Sequence, residues 1–348
     1  MAVNRSVAAA LGAALLFGAS TPFAKALVGA MPPVLLAGLL YVGSGIGLWG
    51  LRLARDAGLK SSSLSRAEWP WFAGAIIAGG VLGPVLLMYG LTRTGAADAS
   101  LLLNLEAVLT ALLAWVVFHE NADRRIVLGM ALIVAGGVVL AWPASGGGRT
   151  SLAGALAVTG ACACWALDNN LTRKVSANDP LFIAGTKGLV AGITNVALAL
   201  ALGARLPPPA WSAAAMGVGL LGYGVSLVLF VLALRGLGSA RTGAYFSTAP
   251  FVGAAIAIVA FGEPLVWTLW LAAALMAAGV WLHLTEVHEH EHVHELLTHT
   301  HAHRHDAHHQ HEHGFAWDGG EPHTHEHTHA PLVHRHPHYP DIHHRHEH

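Results

Sequence analysis

Four ionisable side chains stand inside stretches otherwise built largely of Ala, Leu, Gly and Val: Lys25, Glu106, Asp168 and Lys187. A charge placed in hydrocarbon is costly, so each needs a counter-charge, a hydrogen-bonding partner or a water-filled path, and such residues are read first as parts of a solute or ion pathway. Glu106 lies near the middle of its stretch, where a carboxylate can alternate between protonated and charged forms. That chemistry suits proton-coupled exchange, or direct contact with a cationic substrate. Asp168, beside Asn169 and Asn170, lies five residues before Arg173, and Lys187 lies six residues after Leu181. At about 1.5 Å per helical residue the two reach similar depth on either side of a short connection, which predicts an Asp168–Lys187 ion pair. Lys25, just after Pro22, is offset from Glu106 by roughly 6 Å on the same arithmetic, within reach of a lysine side chain. For Asp168–Lys187 the plainer role, neutralising buried charge and bracing the bundle, weighs slightly more; for Glu106 the functional role does. Asn104, Asn195, Tyr223, Tyr245 and Ser247 are softer polar candidates, each on its own more commonly a helix–helix hydrogen bond.

A second chemistry begins at His283. His288, His290, His292 and His294 alternate with other residues, as do His299, His301, His303 and His305, and then His323, His325, His327 and His329, with further histidines up to His348. Imidazole is the commonest metal ligand near neutral pH. Alternate residues fall on one side of an extended chain, and i, i+4 pairs such as His288/His292 meet on a helix. Either geometry gathers nitrogens around one ion, and nitrogen-rich sites favour Zn²⁺, Ni²⁺, Co²⁺ or Cu²⁺ over Mg²⁺ or Ca²⁺. Pro322, Pro331, Pro337 and Pro340, with Gly314, Gly319 and Gly320, argue against a long helix. Residues 285–348 are therefore expected to be a mostly disordered tail, with the last membrane helix extending to about Thr298. Blander readings of the tail are a pH-responsive segment or a low-complexity expansion without function.

The elements that must position these groups follow from composition. The 348 residues are 54% hydrophobic and only 11% charged, with a net charge of −1, against about 25% charged in an ordinary soluble domain. The balance hides two different polymers. Residues 1–282 carry 16 Lys+Arg and 9 Asp+Glu, whereas residues 283–348 carry 3 basic and 11 acidic residues and 24 of the 25 histidines. A transmembrane helix needs about 20 apolar residues. Ten segments qualify: 6–29, 33–54, 70–92, 97–118, 125–142, 152–172, 181–203, 211–234, 240–262 and 264–284. The fold class is an all-α integral membrane protein, since bare strand edges cannot be left in lipid. With the N-terminus in the cytoplasm, eleven basic residues of the loops and helix ends fall inside (Arg5, Arg52, Arg55, Lys60, Arg66, Arg124, Arg125, Arg173, Lys174, Arg235, Arg241) and three outside (Arg93, Arg149, Arg205). This places both termini in the cytoplasm and the chain in the cell (inner) membrane. Trp49, Trp69, Trp71, Trp142, Trp211 and Trp281 fall near helix ends, where indoles anchor at the lipid–water interface. Cys162 and Cys164 point in different directions on a helix and suggest neither a metal nor a redox role.

Shifting the sequence by 143 positions lays Phe118-His119-Glu120 over Phe261-Gly262-Glu263, and Ala131–Gly136 over Ala274–Gly279. Each half holds five helices, and an odd number inserts the second copy upside down, an arrangement that commonly builds transporters with the site between the halves. Under this shift Asn104 and Ser247 are equivalent, which suits a site on a pseudo-twofold axis. The segment Gly90-Leu91-Thr92-Arg93-Thr94-Gly95-Ala96-Ala97-Asp98-Ala99-Ser100, running on to Phe118-His119-Glu120, resembles a signature of the EamA family of the drug/metabolite transporter superfamily, and Arg235–Arg241 through Pro250 to Glu263 echoes it. The resemblance spans about residues 1–284 and implies ten helices in paired five-helix halves and the export or exchange of small metabolites. Ala107, where the second half has Pro250, and the histidine tail both depart from the family pattern.

The organisation expected is thus a first five-helix repeat at 1–142, a linker at 143–151, a second repeat at 152–284 and the tail at 285–348. The function expected is secondary, ion- or proton-coupled transport, in the export direction, of a small metabolite, with a tail that binds transition metals. The alternatives are a divalent transition-metal exporter fed by the tail and, in another class, a membrane-anchored metal store or sensor. No nucleophile–base set or phosphate loop supports an enzyme, and no cofactor is required. Partners expected are the lipid bilayer, a small-molecule substrate and transition-metal ions, with a homodimer left open and no nucleic acid.

Overall fold

The computed structural model describes residues 2–56, 58, 64–118, 124–142, 150–175, 178–284, 288–294, 297–303, 323–329 and 332–338. The His119-Glu120 corner, Lys60, Arg149 and His305 lie outside the described residues. In chain order the helices are α1 (Ala2–Val28), α2 (Pro33–Asp56), α3 (Trp69–Ala75), a π-helical stretch π1 (Ile76–Leu82), α4 (Gly83–Leu91), α5 (Ala96–Leu102), α6 (Leu105–Phe118), α7 (Arg124–Ala141), α8 (Leu152–Arg173), α9 (Pro180–Ala201), α10 (Pro209–Gly219), a second π-helical stretch π2 (Leu220–Val225), α11 (Ser226–Phe246), α12 (Ala249–Phe261) and α13 (Trp267–Leu284). Among the described residues, eight helical runs are long and apolar enough to cross a membrane, and two shorter apolar helices, Ala249–Phe261 and Trp267–Leu282, follow them. The chain is a multi-pass, predominantly helical membrane protein.

Local chemistry sets the helix ends. Proline opens α2, α9 and α10, where its missing N–H costs nothing. Ser151 and Asp179 accept the first free amides of α8 and α9, from Gly154 and Leu181. Gly262 ends α12 at φ 65°, a left-handed conformation that glycine adopts without strain.

Several boundaries differ from the sequence expectation. The fourth segment breaks at Leu103-Asn104 and the ninth at Ser247-Thr248, so Pro250 lies in the first turn of α12. The Arg235–Arg241 joint does not interrupt α11. Polar residues alone do not stop a helix, and the two glycines there cost only about 1 kcal/mol each. The last helix starts at Trp267, later than 264, because the chain is non-helical from Gly262 to Val266.

The packing is reciprocal between the halves. An added Cβ at Gly136 would press on Met276 and Ala272 of α13, and one at Gly279 would press on Ile133 and Gly129 of α7. Each of these residues is 143 positions from its counterpart. Gly45 approaches the backbone of Leu189 and Gly192 that of Val42, so α2 and α9 cross through mutually bare surfaces. That pair of contacts is related by a shift of 147. Small residues let membrane helices approach to backbone contact, where dispersion and interhelical hydrogen bonds replace the hydrophobic effect. Gly43 and Gly47 serve in the same way, against Met216 and Leu220. The π stretches obey the repeat as well: Ile76–Leu82 shifted by 143 falls on 219–225, and π2 is Leu220–Val225. Among the tryptophans, Trp69, Trp71, Trp142, Trp211 and Trp281 are exposed, as membrane anchors should be. Trp49 instead packs beneath the Arg52 guanidinium, 4.9 Å from ring centroid to carbon.

The tail overturns the expectation of a last membrane helix running to Thr298. After α13 ends at Leu284 it forms strands β1 (His288–His294), β2 (Leu297–His303), β3 (His323–His329) and β4 (Leu332–His338), with β1 antiparallel to β4 and β2 antiparallel to β3. The alternation that was read as a ligand pattern is also the period-2 pattern of a strand, and Thr and Val between the histidines favour that conformation.

Candidate functional site

Several buried polar side chains gather around π1. A π stretch loosens the helical ladder and exposes carbonyls that an α-helix would use internally, and such stretches are frequent at functional sites. Here those carbonyls are taken up by neighbours. Tyr41 Oη of α2 and Trp165 Nε1 of α8 both donate to the Gly79 carbonyl, at 2.9 and 3.0 Å. Asn195 Nδ2 of α9 reaches the Gly80 and Val81 carbonyls at 3.4 and 3.3 Å. Glycine is required at 79 because a Cβ there would overlap the Asp168 carboxylate, and at 80 because it would press on Ala191.

Against that bare surface sits the Asp168–Lys187 ion pair. Lys187 Nζ donates to Asp168 Oδ2, and Thr172 Oγ1 donates to Oδ1 at 2.9 Å. Asp168 is buried, so both of its oxygens are satisfied inside the protein. The next residue, Asn169, is rotated about 100° around α8 and turns to α6, where its Nδ2 donates to Glu106 Oε1 at 2.9 Å. Two consecutive residues thus connect α9, α8 and α6. The cluster holds two carboxylates and one ammonium, and among the described residues the donor to Glu106 is a neutral amide.

Lys25 and Glu106 engage different elements. Lys25 Nζ donates to the Leu91 carbonyl and, at 2.8 Å, to the Thr94 carbonyl, closing the C-terminal end of α4. Depth arithmetic brought the two near one level but could not see which helix each would face. Asn104 is buried in the α5–α6 break, with its amide on the Leu101 carbonyl at 2.9 Å and near Met276 Sδ at 3.8 Å. Ser247 occupies the corresponding break between α11 and α12, and the Tyr245 carbonyl accepts the Thr248 amide and hydroxyl there. Tyr223, in π2, lies 5.5 Å from Tyr41 between ring centroids, which links the two π stretches.

Both ends of the bundle are cross-linked. At one, Glu263 accepts the Ala96 and Ala97 amides at 2.8 and 3.0 Å and so caps α5 from the opposite half, while Thr150 donates to Asp98. At the other, Asp179 receives Arg52 Nε at 3.0 Å and Arg55 Nη2 at 2.7 Å, and Asn178 donates to Glu68 at 3.1 Å. Burial works to raise the Asp179 pKa, but the guanidinium hydrogen bonds from Arg55 and Arg52 and the Leu181 amide outweigh it and hold the carboxyl below its ordinary value.

Reasoning from sequence missed Tyr41 and Trp165, which look like ordinary aromatic packing. It noted Asn169 only as a neighbour of Asp168, although three consecutive polar residues in an apolar helix were a usable signal.

Comparison with known proteins places this geometry. A model of the EamA-like transporter family matches residues 4–142 and again 152–285. An uncharacterized transporter from Methanothermobacter thermautotrophicus is 28% identical, over 78% of this chain and 83% of its own. A probable 4-amino-4-deoxy-L-arabinose-phosphoundecaprenol flippase subunit ArnE from Pseudomonas aeruginosa is 43% identical over 75 residues, 22% of this chain and 63% of its own. A solved crystal structure superposes with a TM-score of 0.61 at 22% identity, covering 79% of this chain and 95% of its own, a likeness of fold.

Proposed function

The chain belongs to the EamA-like transporter family, and from that membership we propose that it is a secondary transporter exporting a small metabolite, with Glu106 as the coupling group. The observation that carries this reading is the charge balance around π1, where Glu106 is held by the neutral Asn169 while Lys187 is committed to Asp168. A carboxylate so placed can take up a proton, or a cationic part of the substrate, in one state and release it in another. Asp168, Lys187 and Asn195 position the π1 wall of the site, Lys25 and Asn104 secure helix ends, and Tyr245 and Ser247 contribute from the second break.

In this reading the repeats 1–142 and 152–284 rock against each other around the cluster. The positive-inside pattern orients both termini to the cytoplasm of an inner membrane, and the tail there carries the transition-metal ligands. A divalent-cation exporter is the weaker reading, because the midplane of the membrane helices offers chiefly Glu106 and Asn104 as ligands. A metal store would not call for the reciprocal packing of two halves.

The test uses proteoliposomes challenged separately with radiolabelled amino acids, amines and sugars under an imposed pH gradient. Gradient-dependent movement of one class by the intact protein, and its uncoupling from the gradient in Glu106→Gln, are expected. Unchanged coupled transport by Glu106→Gln would remove the role given to Glu106. Movement of none of the three classes would remove the metabolite reading.

A further inference from the structure

Phenylalanine and tyrosine side chains of the membrane region fall into different settings. Phe72 is sealed in the core, whereas Phe23 and Phe261 face outward at 46% and 42% exposure. Phe17 of α1, Tyr223 of π2 and Phe246 at the end of α11 belong to neither group, each being half-buried. They stand side by side: the Phe17 ring lies 6.1 Å from Tyr223 and 5.2 Å from Phe246, centroid to centroid. Tyr223 in turn lies 5.5 Å from Tyr41, whose hydroxyl donates to the Gly79 carbonyl of π1. A row of rings thus runs from the second helix break, at Ser247-Thr248, to the wall of π1.

The Glu106 carboxylate stands near the end of that row. It is close enough to the Tyr41 hydroxyl for the two to interact electrostatically, and it lies two residues beyond Asn104 of the first break. Glu106 and Tyr223 are enclosed by the bundle, yet both keep accessible surface. Side chains that are deep and still accessible border interior space, and a polar pair such as Glu106–Asn169 would be costly against lipid. The rings are not a product of the repeat: at a shift of 143, Tyr223 corresponds to Gly80 and Phe246 to Leu103. The first repeat therefore brings a carboxylate to this interior, and the second, together with Phe17, brings ring faces.

We propose that the transported solute is an organic monocation with an apolar or aromatic body, its ammonium on Glu106 and its body against Phe17, Tyr223 and Phe246. This rests on the reading of the chain as a carrier with Glu106 in its path, and adds the chemical class of the cargo. Ring faces carry negative potential and attract a cation, more strongly where water is excluded. Apolar walls with one well-placed polar group suit an amphiphilic amine better than a sugar, whose hydroxyls would find few partners there. A carboxylate on the solute is opposed by charge. Lys187 is bound to Asp168, and Lys25 to the Leu91 and Thr94 carbonyls. A zwitterion would thus bring its acid group to a wall that presents Glu106, with both of these ammonium groups engaged elsewhere.

The experiment is equilibrium binding of tritiated phenethylamine to the purified full chain in detergent, counted above protein-free micelles, with phenylalanine and ethylamine as competitors. Phenylalanine adds a carboxylate to the same ring and amine, and ethylamine removes the ring. Each should compete about tenfold or more weakly than unlabelled phenethylamine. In variants that keep the thermal unfolding of the intact protein, Glu106→Gln should weaken phenethylamine by about tenfold or more, and Glu106→Asp should retain most of the binding. Phe246→Leu, which keeps apolar volume and removes a ring face, should weaken phenethylamine by roughly fivefold and leave ethylamine unchanged. Equal competition by phenylalanine would overturn the exclusion of zwitterions. Equal competition by ethylamine, or unchanged binding in Phe246→Leu, would overturn the role of the rings, and unchanged binding in Glu106→Gln the seat of the ammonium. No phenethylamine binding by a chain that moves amino acids or sugars in proteoliposomes would overturn this cargo class and leave the carrier reading standing. A chain that moves none of the three solute classes there loses the carrier reading itself.

Discussion

The contact between Gly79 and Asp168 can be tested with a single methyl group. In Gly79→Ala the new Cβ would overlap the Asp168 carboxylate oxygen, its carboxyl carbon and its Cβ. Rotating the Asp168 side chain cannot clear all three, so π1 or α8 must move and the Lys187 hydrogen bond is disturbed with them. Overpacking of this kind costs about 1–3 kcal/mol. Because this change also strains a buried ion pair, whose outright loss costs about 3–5 kcal/mol, the upper part of the overpacking range is expected. The corresponding fall in Tm, measured by thermal unfolding in detergent, is roughly 2–10 °C. The informative measurement is a cycle with Asp168→Gly, since Asp168→Ala would leave the offending Cβ. In the Asp168→Gly background the three nearest atoms to the new Cβ are gone, and alanine's helix propensity should make Gly79→Ala neutral or stabilising by up to about 1 kcal/mol. The coupling expected is about 2–4 kcal/mol, the difference between the two backgrounds. An equal loss in both backgrounds would refute the claim that bareness at 79 exists to seat the carboxylate.

Two further outcomes follow from the same geometry. Gly136→Ala and Gly279→Ala make reciprocal contacts, so each should destabilise by about 1–3 kcal/mol and by similar amounts; a large effect from only one would mean that the halves are not packed about a common axis. Asp179 has its folded pKa lowered, so its contribution to stability is fully present above the ordinary carboxylate value and is lost as pH falls through the lowered one. Thermal unfolding of Asp179→Asn should therefore show a flatter acid limb than the intact protein, and identical acid limbs would refute the assignment.

What was legible in the sequence was whatever periodicity and cost dictate locally. Apolar runs gave the membrane helices, and the short connection between α8 and α9 brought Asp168 and Lys187 together because both depths were counted from a common turn. The depth count for Lys25 and Glu106 had no such turn, and rotation about the helix axis decided the outcome: Lys25 went to the carbonyls ending α4 and Glu106 to Asn169. The π stretches were invisible. Their cause is tertiary, a set of donors at Tyr41, Trp165 and Asn195 that compensate the loosened backbone, and none of these is near π1 in sequence. The tail strands were hidden by an assumption, since proline and glycine exclude a long helix without excluding short edge strands such as β4, which accommodates Pro337.

The repeat explains why the charged cluster is one-sided. Shifted by 143, Gly79 corresponds to Gly222 and Glu106 to Ala249; shifted by 147, Asp168 corresponds to Thr21 and Lys187 to Leu40. In the second half Gly222 lies against Ser20, the neighbour of Thr21, so the bare surface of π2 faces α1 as the bare surface of π1 faces α8. The backbone device is duplicated, while Glu106, Asp168 and Lys187 have no charged counterpart at the equivalent positions Ala249, Thr21 and Leu40. In the proposed mechanism a symmetric frame would let two halves rock about one axis, and a single charged wall would give that motion one place to bind or release a cation. A second set of charges at Thr21, Leu40 and Ala249 would put another uncompensated carboxylate in the bundle, at a desolvation cost the first site already incurs. On the function proposed above, this asymmetry would give a carrier one coupling group per two halves, Glu106 on the α6 side of π1.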